Sequence, residues 1–154
     1  MNRTRGLLLL SLLCLTLPSA SAEEKGKPMS RHANGSFEVK LEPLTGGAFP
    51  RLNLKKTFQG DLEGTSEGEM MSVEGTVEGS GAYVAIERVT GSLGGRKGSF
   101  ALVHNGTMRR GGDFSMMIRV VPDSGTGELA GLTGTMEIVI EGGKHSYKLE
   151  YTLP

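Results

Sequence analysis

Residues 135–153 have the sequence TMEIVIEGGKHSYKLEYTL, in which two alternating segments flank a pair of glycines. Gly142 and Gly143 suit a two-residue hairpin turn, because glycine tolerates the positive φ angles that such turns need. One face of the hairpin then collects apolar and ring-bearing side chains: Met136, Ile138, Ile140, His145, Tyr147, Leu149, Tyr151 and Leu153. The other face carries two opposite-charge pairs, Glu141 with Lys144 next to the turn and Glu137 with Lys148 further from it. A slip by one residue would destroy both patterns, so the sequence predicts a β-hairpin of defined register.

Glycine is so frequent in the rest of the chain that long helices do not fit. After Gly35 the longest segment without glycine or proline is 144–153, and longer helices would carry interior glycines at about 1 kcal/mol each. Alternation, as in Phe37, Val39 and Leu41, favours strands instead. We predict a short extra piece near 126–132 and eight strands, at 36–42, 51–59, 68–77, 82–90, 98–106, 113–121, 135–141 and 145–153. Regular strands joined by short turns are typical of an antiparallel meander, closed as a barrel or folded as a sandwich.

The segment 120–134, VVPDSGTGELAGLTG, contains four of the glycines. Their spacing matches neither G-x-G-x-x-G nor the P-loop, and no helix that could present amides to a phosphate is expected after them. Pro122 and Asp123 end one strand, and Gly131–Gly134 leads into the next. We therefore interpret the segment as a turn.

The chain begins MNRTRGLLLLSLLCLTLPSASAEEK, which has the features of a secretory signal peptide. A basic start, an apolar core and a small-residue site predict cleavage after Ala22, followed by a flexible leader at 23–35 and one domain at 36–154. The lone cysteine, Cys14, would leave with the signal peptide. We expect an exported protein, periplasmic or secreted, without a disulfide. It would have 15 basic and 17 acidic side chains, a net charge of −2 that does not favour a nucleic-acid partner.

Four segments are similar to the bacterial family called domain of unknown function 3224: LKKTFQGDLEGTSEGEMM, GSGAYVAIERVTGSLGGRKGSFALVHNGTM, VVPDSGTGELAGLTG and GGKHSYKLEYTLP. They follow one another from about Phe37 to Pro154 without a large gap. Members of that family resemble allene oxide cyclase in fold, a closed antiparallel barrel loosely related to the lipocalins. The resemblance implies a barrel rather than a sandwich. It implies little about activity, because a shared fold does not carry function.

Tyr83, Glu87 and His104 are the candidates for chemistry. If the loop at 91–98 holds Glu87 opposite Leu102, the three side chains share one face of the sheet. On an inward face they would form a buried acid/base group, with Glu87 able to stabilise a developing cation, His104 to accept a proton and Tyr83 to donate one. The alternatives are that Glu87 pairs outside with a lysine or arginine, or that the groups are structural hydrogen-bonding partners. No H-x-H or H-E-x-x-H spacing occurs, so we expect no metal site and no cofactor.

An eight-stranded barrel has room inside for side chains or for one small ligand. We expect binding of a small apolar or lipid-like ligand by inward-facing residues, namely Tyr83, Glu87, Phe100, Leu102, His104, Met136, Ile138, Tyr147 and Tyr151. An isomerase or cyclase acting on an apolar substrate, and a purely structural or interaction barrel, remain alternatives. We expect no membrane span, since the apolar run of the signal peptide is too short. Whether the protein forms a homo-oligomer is left open.

Overall fold

The computed structural model describes residues 29–112 and 114–154, so the predicted signal peptide at 1–22 lies outside the described residues. Eight antiparallel strands follow one another around a closed barrel, and the last pairs with the first. The strands are β1 (Arg31–Leu44), β2 (Arg51–Gly60), β3 (Leu62–Glu74), β4 (Gly81–Leu93), β5 (Arg96–Met108), β6 (Phe114–Val120), β7 (Thr133–Glu141) and β8 (Lys144–Thr152). No α-helix occurs in this part of the chain. The prediction of an all-β meander barrel is confirmed.

The β7–β8 hairpin has the predicted register. Glu141 pairs with Lys144 and Met136 pairs with Leu149 around the turn. Both turn glycines have positive φ, 56° at Gly142 and 78° at the next residue. A second glycine pair, at 94–95, has the same backbone form and joins β4 to β5, so the predicted loop at 91–98 is only two residues long.

The first strand begins earlier than the sequence pattern indicated. Residues 31–35, assigned to the flexible leader at 23–35, pair with β8 and belong to β1. The inward-facing residues of this segment are Ala33 and Gly35, whose side chains are too small to produce an apolar alternation. The boundary at residue 36 was therefore wrong, because backbone pairing rather than side-chain size holds this part of β1.

The short extra piece near 126–132 is a turn. Residues Gly127–Leu129 form a single 3-10 turn, which agrees with the interpretation of 120–134 as turn structure. Leu129 and Leu132 are fully buried and cover the end of the barrel at which β1 begins. The loop between β6 and β7 therefore seals this end, which we call the closed end.

The core fills the barrel toward the closed end. Its buried members come from all eight strands, the sealing loop and the residue after β8: Ala33, Phe37, Phe58, Leu62, Val89, Leu93, Phe100, Leu102, Ile118, Val120, Leu129, Leu132, Met136, Tyr147, Leu149, Tyr151 and Leu153. Because the closed end is tightly packed, a solute can contact only side chains at the opposite end of the barrel, which we call the open end.

Each of the three tyrosines of the sequence lies directly opposite a glycine of the neighbouring strand. The pairs are Tyr83 with Gly106, Tyr147 with Gly35, and Tyr151 with Gly134. A Cβ on Gly106 would overlap the ring of Tyr83, and one on Gly35 would overlap both Tyr147 and the backbone oxygen of Gln59. A Cβ on Gly134 would instead meet the backbone oxygen of Glu150 before any atom of Tyr151. The rings of Tyr83 and Tyr147 thus cover the backbone of a glycine, which favours the strand register in two places.

The hydroxyl of Tyr147 gives a testable contribution to stability. It accepts a hydrogen bond from the buried backbone N–H of Leu62 at 2.8 Å. We expect Tyr147→Phe to lower the free energy of unfolding by about 1–3 kcal/mol, because this N–H would lose its partner. Urea unfolding measures the loss. Tyr151→Phe is the matched control, since the Tyr151 hydroxyl makes no hydrogen bond to a described residue; equal losses in the two variants would contradict the explanation.

Candidate functional site

Four polar side chains lie inside the barrel at half its height. They come from four successive strands, β2 to β5, and are Lys56, Ser66, Glu87 and His104. Glu87 is 0% exposed, and Lys56 and His104 are 5% and 4% exposed. We call these four residues the polar cluster. A buried group of this composition is unusual in an apolar barrel and requires internal partners.

Glu87 is the centre of the polar cluster. Its Oε1 accepts hydrogen bonds from Lys56 Nζ at 2.6 Å and from His104 Nε2 at 2.8 Å. Its Oε2 accepts one from the hydroxyl of Ser66. In the described part of the chain no buried side-chain nitrogen or oxygen lacks a partner. The carboxylate is therefore satisfied by three donors from three different strands.

The environment of Glu87 keeps its carboxyl group ionised. Burial alone would raise the pKa of this group, but the hydrogen bond from His104 and the charge of Lys56 outweigh burial and lower the pKa to about 2. Because the carboxylate has no proton to give, the shared proton belongs to the imidazole, and Nε2 of His104 is the donor.

Aromatic rings hold Lys56 on its other side. Its ammonium nitrogen lies 4.9 Å from the ring centre of Phe37 and 5.8 Å from that of Phe58. These are distances at which the face of a ring attracts a cation. The ring of Phe37 in turn packs against His145, at 5.1 Å between ring centres. Phe37 thus lies between the polar cluster and the start of β8.

The structure brings together two of the three residues that the sequence suggested for chemistry. Glu87 pairs with Leu102, as the register hypothesis required, and this pairing puts Glu87 and His104 in contact inside the barrel. Tyr83 shares their face but lies nearer the open end. Its hydroxyl donates to Met116 Sδ at 2.9 Å rather than to either residue, and burial raises its pKa.

Most of the residues predicted to contact a ligand lie in the packed core. Those are Phe100, Leu102, Met136, Tyr147 and Tyr151. Ile138 packs half-buried against the core on the side toward the open end. A ligand-contacting role for these residues stays a prediction.

Sequence analysis missed Lys56 and Ser66. A signal for Lys56 exists in RLNLKKTFQG, where Leu54, Lys56 and Phe58 occupy alternate positions. The alternation puts a lysine on the apolar face, so a buried cation was predictable there. Ser66 gives no such signal, because the inward positions next to it on β3, Gly64 and Gly68, are glycines.

The open end of the barrel is lined by apolar side chains that solvent reaches. Ile140 is 62% exposed and Phe114 57% exposed, although both lie on the inward face of their strands. We use the name mouth for six such residues: Leu41, Met108, Phe114, Met116, Ile138 and Ile140. An apolar surface that a folded domain leaves to solvent commonly marks a site of interaction.

A side cleft adjoins the mouth. β1 pairs with β8 only as far as Phe37, so β1 beyond this residue and the β7–β8 turn are separated. The cleft between them measures about 550 Å³. Phe37 and Val39 line it together with polar side chains that include Glu38, Lys40 and Lys144.

Residues 29–112 and 114–154 hold no group of three histidine, cysteine or acidic side chains close enough to bind a metal ion. They also contain no helix long and apolar enough to cross a membrane.

The chain is similar to one family and to a solved structure within it. The model of the family described as "Protein of unknown function (DUF3224)" matches residues 25–151. A crystal structure of a protein with unknown function from the DUF3224 family of Shewanella oneidensis MR-1 is 44% identical, with a TM-score of 0.76. The match covers 82% of this chain and 99% of that one. No curated protein matches the chain. The extent of the family match and this identity establish that the chain belongs to the DUF3224 family.

Proposed function

We propose that this protein is exported and binds a small, largely apolar ligand in the mouth of its barrel. The observation that carries the proposal is the exposure of large apolar side chains on the inward face of the open end. Leaving such side chains in water is costly, and a ligand that covers them recovers about 25 cal/mol for each Å². The proposed location outside the cytoplasm rests on the sequence of the first 22 residues alone.

The composition of the mouth supports an adaptable apolar site. Two of its six residues are methionines, whose flexible side chains accommodate ligands of different shape. Below the mouth the polar cluster supplies a few hydrogen-bonding groups. Apolar walls with a small number of polar groups are the usual composition of small-molecule sites.

A displacement assay with N-phenyl-1-naphthylamine, an uncharged apolar fluorophore, tests the proposal. We expect saturable binding that Phe114→Lys weakens about tenfold or more, because the fluorophore would have to displace water from a new charge. Met117→Lys is the matched control, since Met117 is the outward-facing residue of the same strand and is 44% exposed. Absence of saturable binding, or equal weakening by both substitutions, would overturn the proposal.

A second candidate function is an isomerase or cyclase acting on an apolar substrate. The contact between Glu87 and His104 favours it, because an ionised carboxylate that orients an imidazole is a common arrangement for proton transfer. Tyr83 does not join this pair, so the proton donor of the original hypothesis lacks support. Mass spectrometry of a small molecule that co-purifies with the protein from its host, before and after incubation with fresh protein, separates the two functions, because an enzyme returns a rearranged molecule.

A further inference from the structure

The barrel wall is not paired along its full length between β6 and β7. Among the described residues these strands pair at only two positions, and the pair nearer the open end is Ile118 with Met136. From there both strands run on toward the open end without a further pair between them. We call the two facing lengths, residues 114–117 of β6 and 137–140 of β7, the seam. Since a closed barrel normally leaves no strand edge free, the seam is an opening in its wall.

The two edges of the seam match each other when the existing register is continued. Each step from the pair of Ile118 and Met136 toward the open end sets the next antiparallel pair. The pairs that follow are Met117 with Glu137, Met116 with Ile138, Ser115 with Val139, and Phe114 with Ile140. Alternation puts the second and the fourth pair on the inward face, and none of the four opposes two like charges. A closed seam would thus be an ordinary antiparallel ladder.

The inward residues of the seam are four of the six residues of the mouth. At its outer limit Phe114 is 57% exposed and Ile140 is 62% exposed. In the continued register these two side chains face each other, so closure would let each cover apolar surface of the other. The open seam therefore accounts for the exposure of the two most exposed residues of the mouth.

The mouth is not filled by its own side chains. Leu41 is 47% exposed and Met108 is 43% exposed, although both lie on the inward face of their strands. If the empty mouth were closed, a void would remain behind the seam, and a void with apolar walls is unfavourable. An apolar molecule in the mouth removes this obstacle, because it fills the space and contacts the inward side of the ladder.

On the basis of the proposed function, we infer that the seam is the entrance of the mouth and closes over the bound ligand. The ligand passes sideways between β6 and β7. The four pairs then form and hold Phe114 and Ile140 against it. The occupied and the empty protein therefore differ in the pairing of β6 with β7, and release of the ligand requires the seam to open again.

A disulfide across the seam tests this inference. Cys14 is the only cysteine of the sequence, and Cys14→Ser removes it. In this background Ser115→Cys and Val139→Cys place two thiols directly opposite each other on the outward face of the closed seam. A disulfide needs Cα atoms within about 7 Å of each other, which the closed seam provides. We expect N-phenyl-1-naphthylamine to accelerate disulfide formation with oxidised glutathione about tenfold or more, because it raises the closed fraction.

The matched control combines Ser115→Cys with Glu141→Cys, an outward position on the same strand that is offset from the continued register. We expect its disulfide to form about tenfold more slowly than the in-register one when the fluorophore is present. Equal rates for the two variants would overturn the inference. So would saturable binding of the fluorophore without any acceleration, which leaves the proposed function intact. If the fluorophore itself does not bind, the proposed function fails first, so the two failures are distinguishable.

Release of the fluorophore gives a second measurement on the in-register variant. A disulfide between positions 115 and 139 should trap bound N-phenyl-1-naphthylamine and slow its dissociation about tenfold or more, and dithiothreitol should restore the original rate. Unchanged dissociation would exclude the seam as the entrance. Where circular dichroism finds the variant unfolded, Met117→Cys with Glu137→Cys replaces it, since this is the in-register pair next to Ile118 and Met136.

Discussion

Replacing Lys56 with methionine is expected to lower the free energy of unfolding by about 3–5 kcal/mol. The substitution keeps the length of the side chain but leaves the carboxylate of Glu87 buried without its cation, and an uncompensated buried charge has this cost. The measurement is urea unfolding at neutral pH. The neighbouring Lys55→Met is the matched control. Lys55 forms a 3.5 Å ion pair with Glu67 between largely exposed side chains, and such pairs contribute about 0–1 kcal/mol.

The double variant Lys56→Met with Glu87→Leu separates lost charge from lost packing. Replacing both members of a buried ion pair with apolar residues of similar size is often neutral or stabilising. We therefore expect the double variant to recover most of the stability that Lys56→Met loses. A double variant that is less stable than the single one would mean that the polar cluster stabilises the barrel itself. It would then be a structural element and not a site kept for a ligand.

Acid is expected to remove about 3 kcal/mol of stability through Glu87 alone. The pKa of its carboxyl group is lowered from 4.5 to about 2 on folding, so the folded state binds this proton less readily than the unfolded chain. A group with a lowered pKa stabilises the folded state above its unfolded value, and this contribution is lost as the pH falls. The loss should therefore extend from about pH 4.5 down to about pH 2.

Urea unfolding at a series of pH values across that window measures the acid effect. Glu87→Gln has no carboxyl group to titrate. The difference between this variant and the unaltered protein in the slope of unfolding free energy against pH therefore isolates the Glu87 contribution. Glu67→Gln serves as the control, because Glu67 is exposed and its partner Lys55 lies at 3.5 Å. Identical slopes for Glu87→Gln and the unaltered protein would contradict the assignment.

Most of the architecture could be predicted from local patterns because glycines lie in or beside the turns. Gly64 and Gly68 lie inside β3, however, so this strand begins at Leu62 and not at the predicted residue 68. The pair at 142–143 gave the register of the last hairpin, and the pair at 94–95 has the same form. The start of β1 could not be found in this way. Ala33 and Gly35 are held by pairing with β8, about a hundred residues further along the chain, and a local pattern contains no information about that contact.

The candidate site was only half predictable for a related reason. Glu87 and His104 lie on adjacent strands joined by a two-residue turn, so alternation and one assumed register sufficed to bring them together. The contact between Lys56 and Glu87 skips a strand and crosses the barrel interior. It depends on the pairing of β3 with both of its neighbours and on the glycines of β3 between them. Neither can be derived from the spacing of residues along the sequence.

The pair of Tyr83 and Gly106 also constrains how the family can evolve. A side chain at Gly106 would need space that the ring of Tyr83 already occupies. A descendant could therefore acquire a larger residue at this glycine only after the tyrosine had been exchanged for something smaller. The reverse order would pass through an intermediate with overlapping atoms. Selection would therefore act on the two residues together. Sequences along the lineage would show the tyrosine replaced before the glycine.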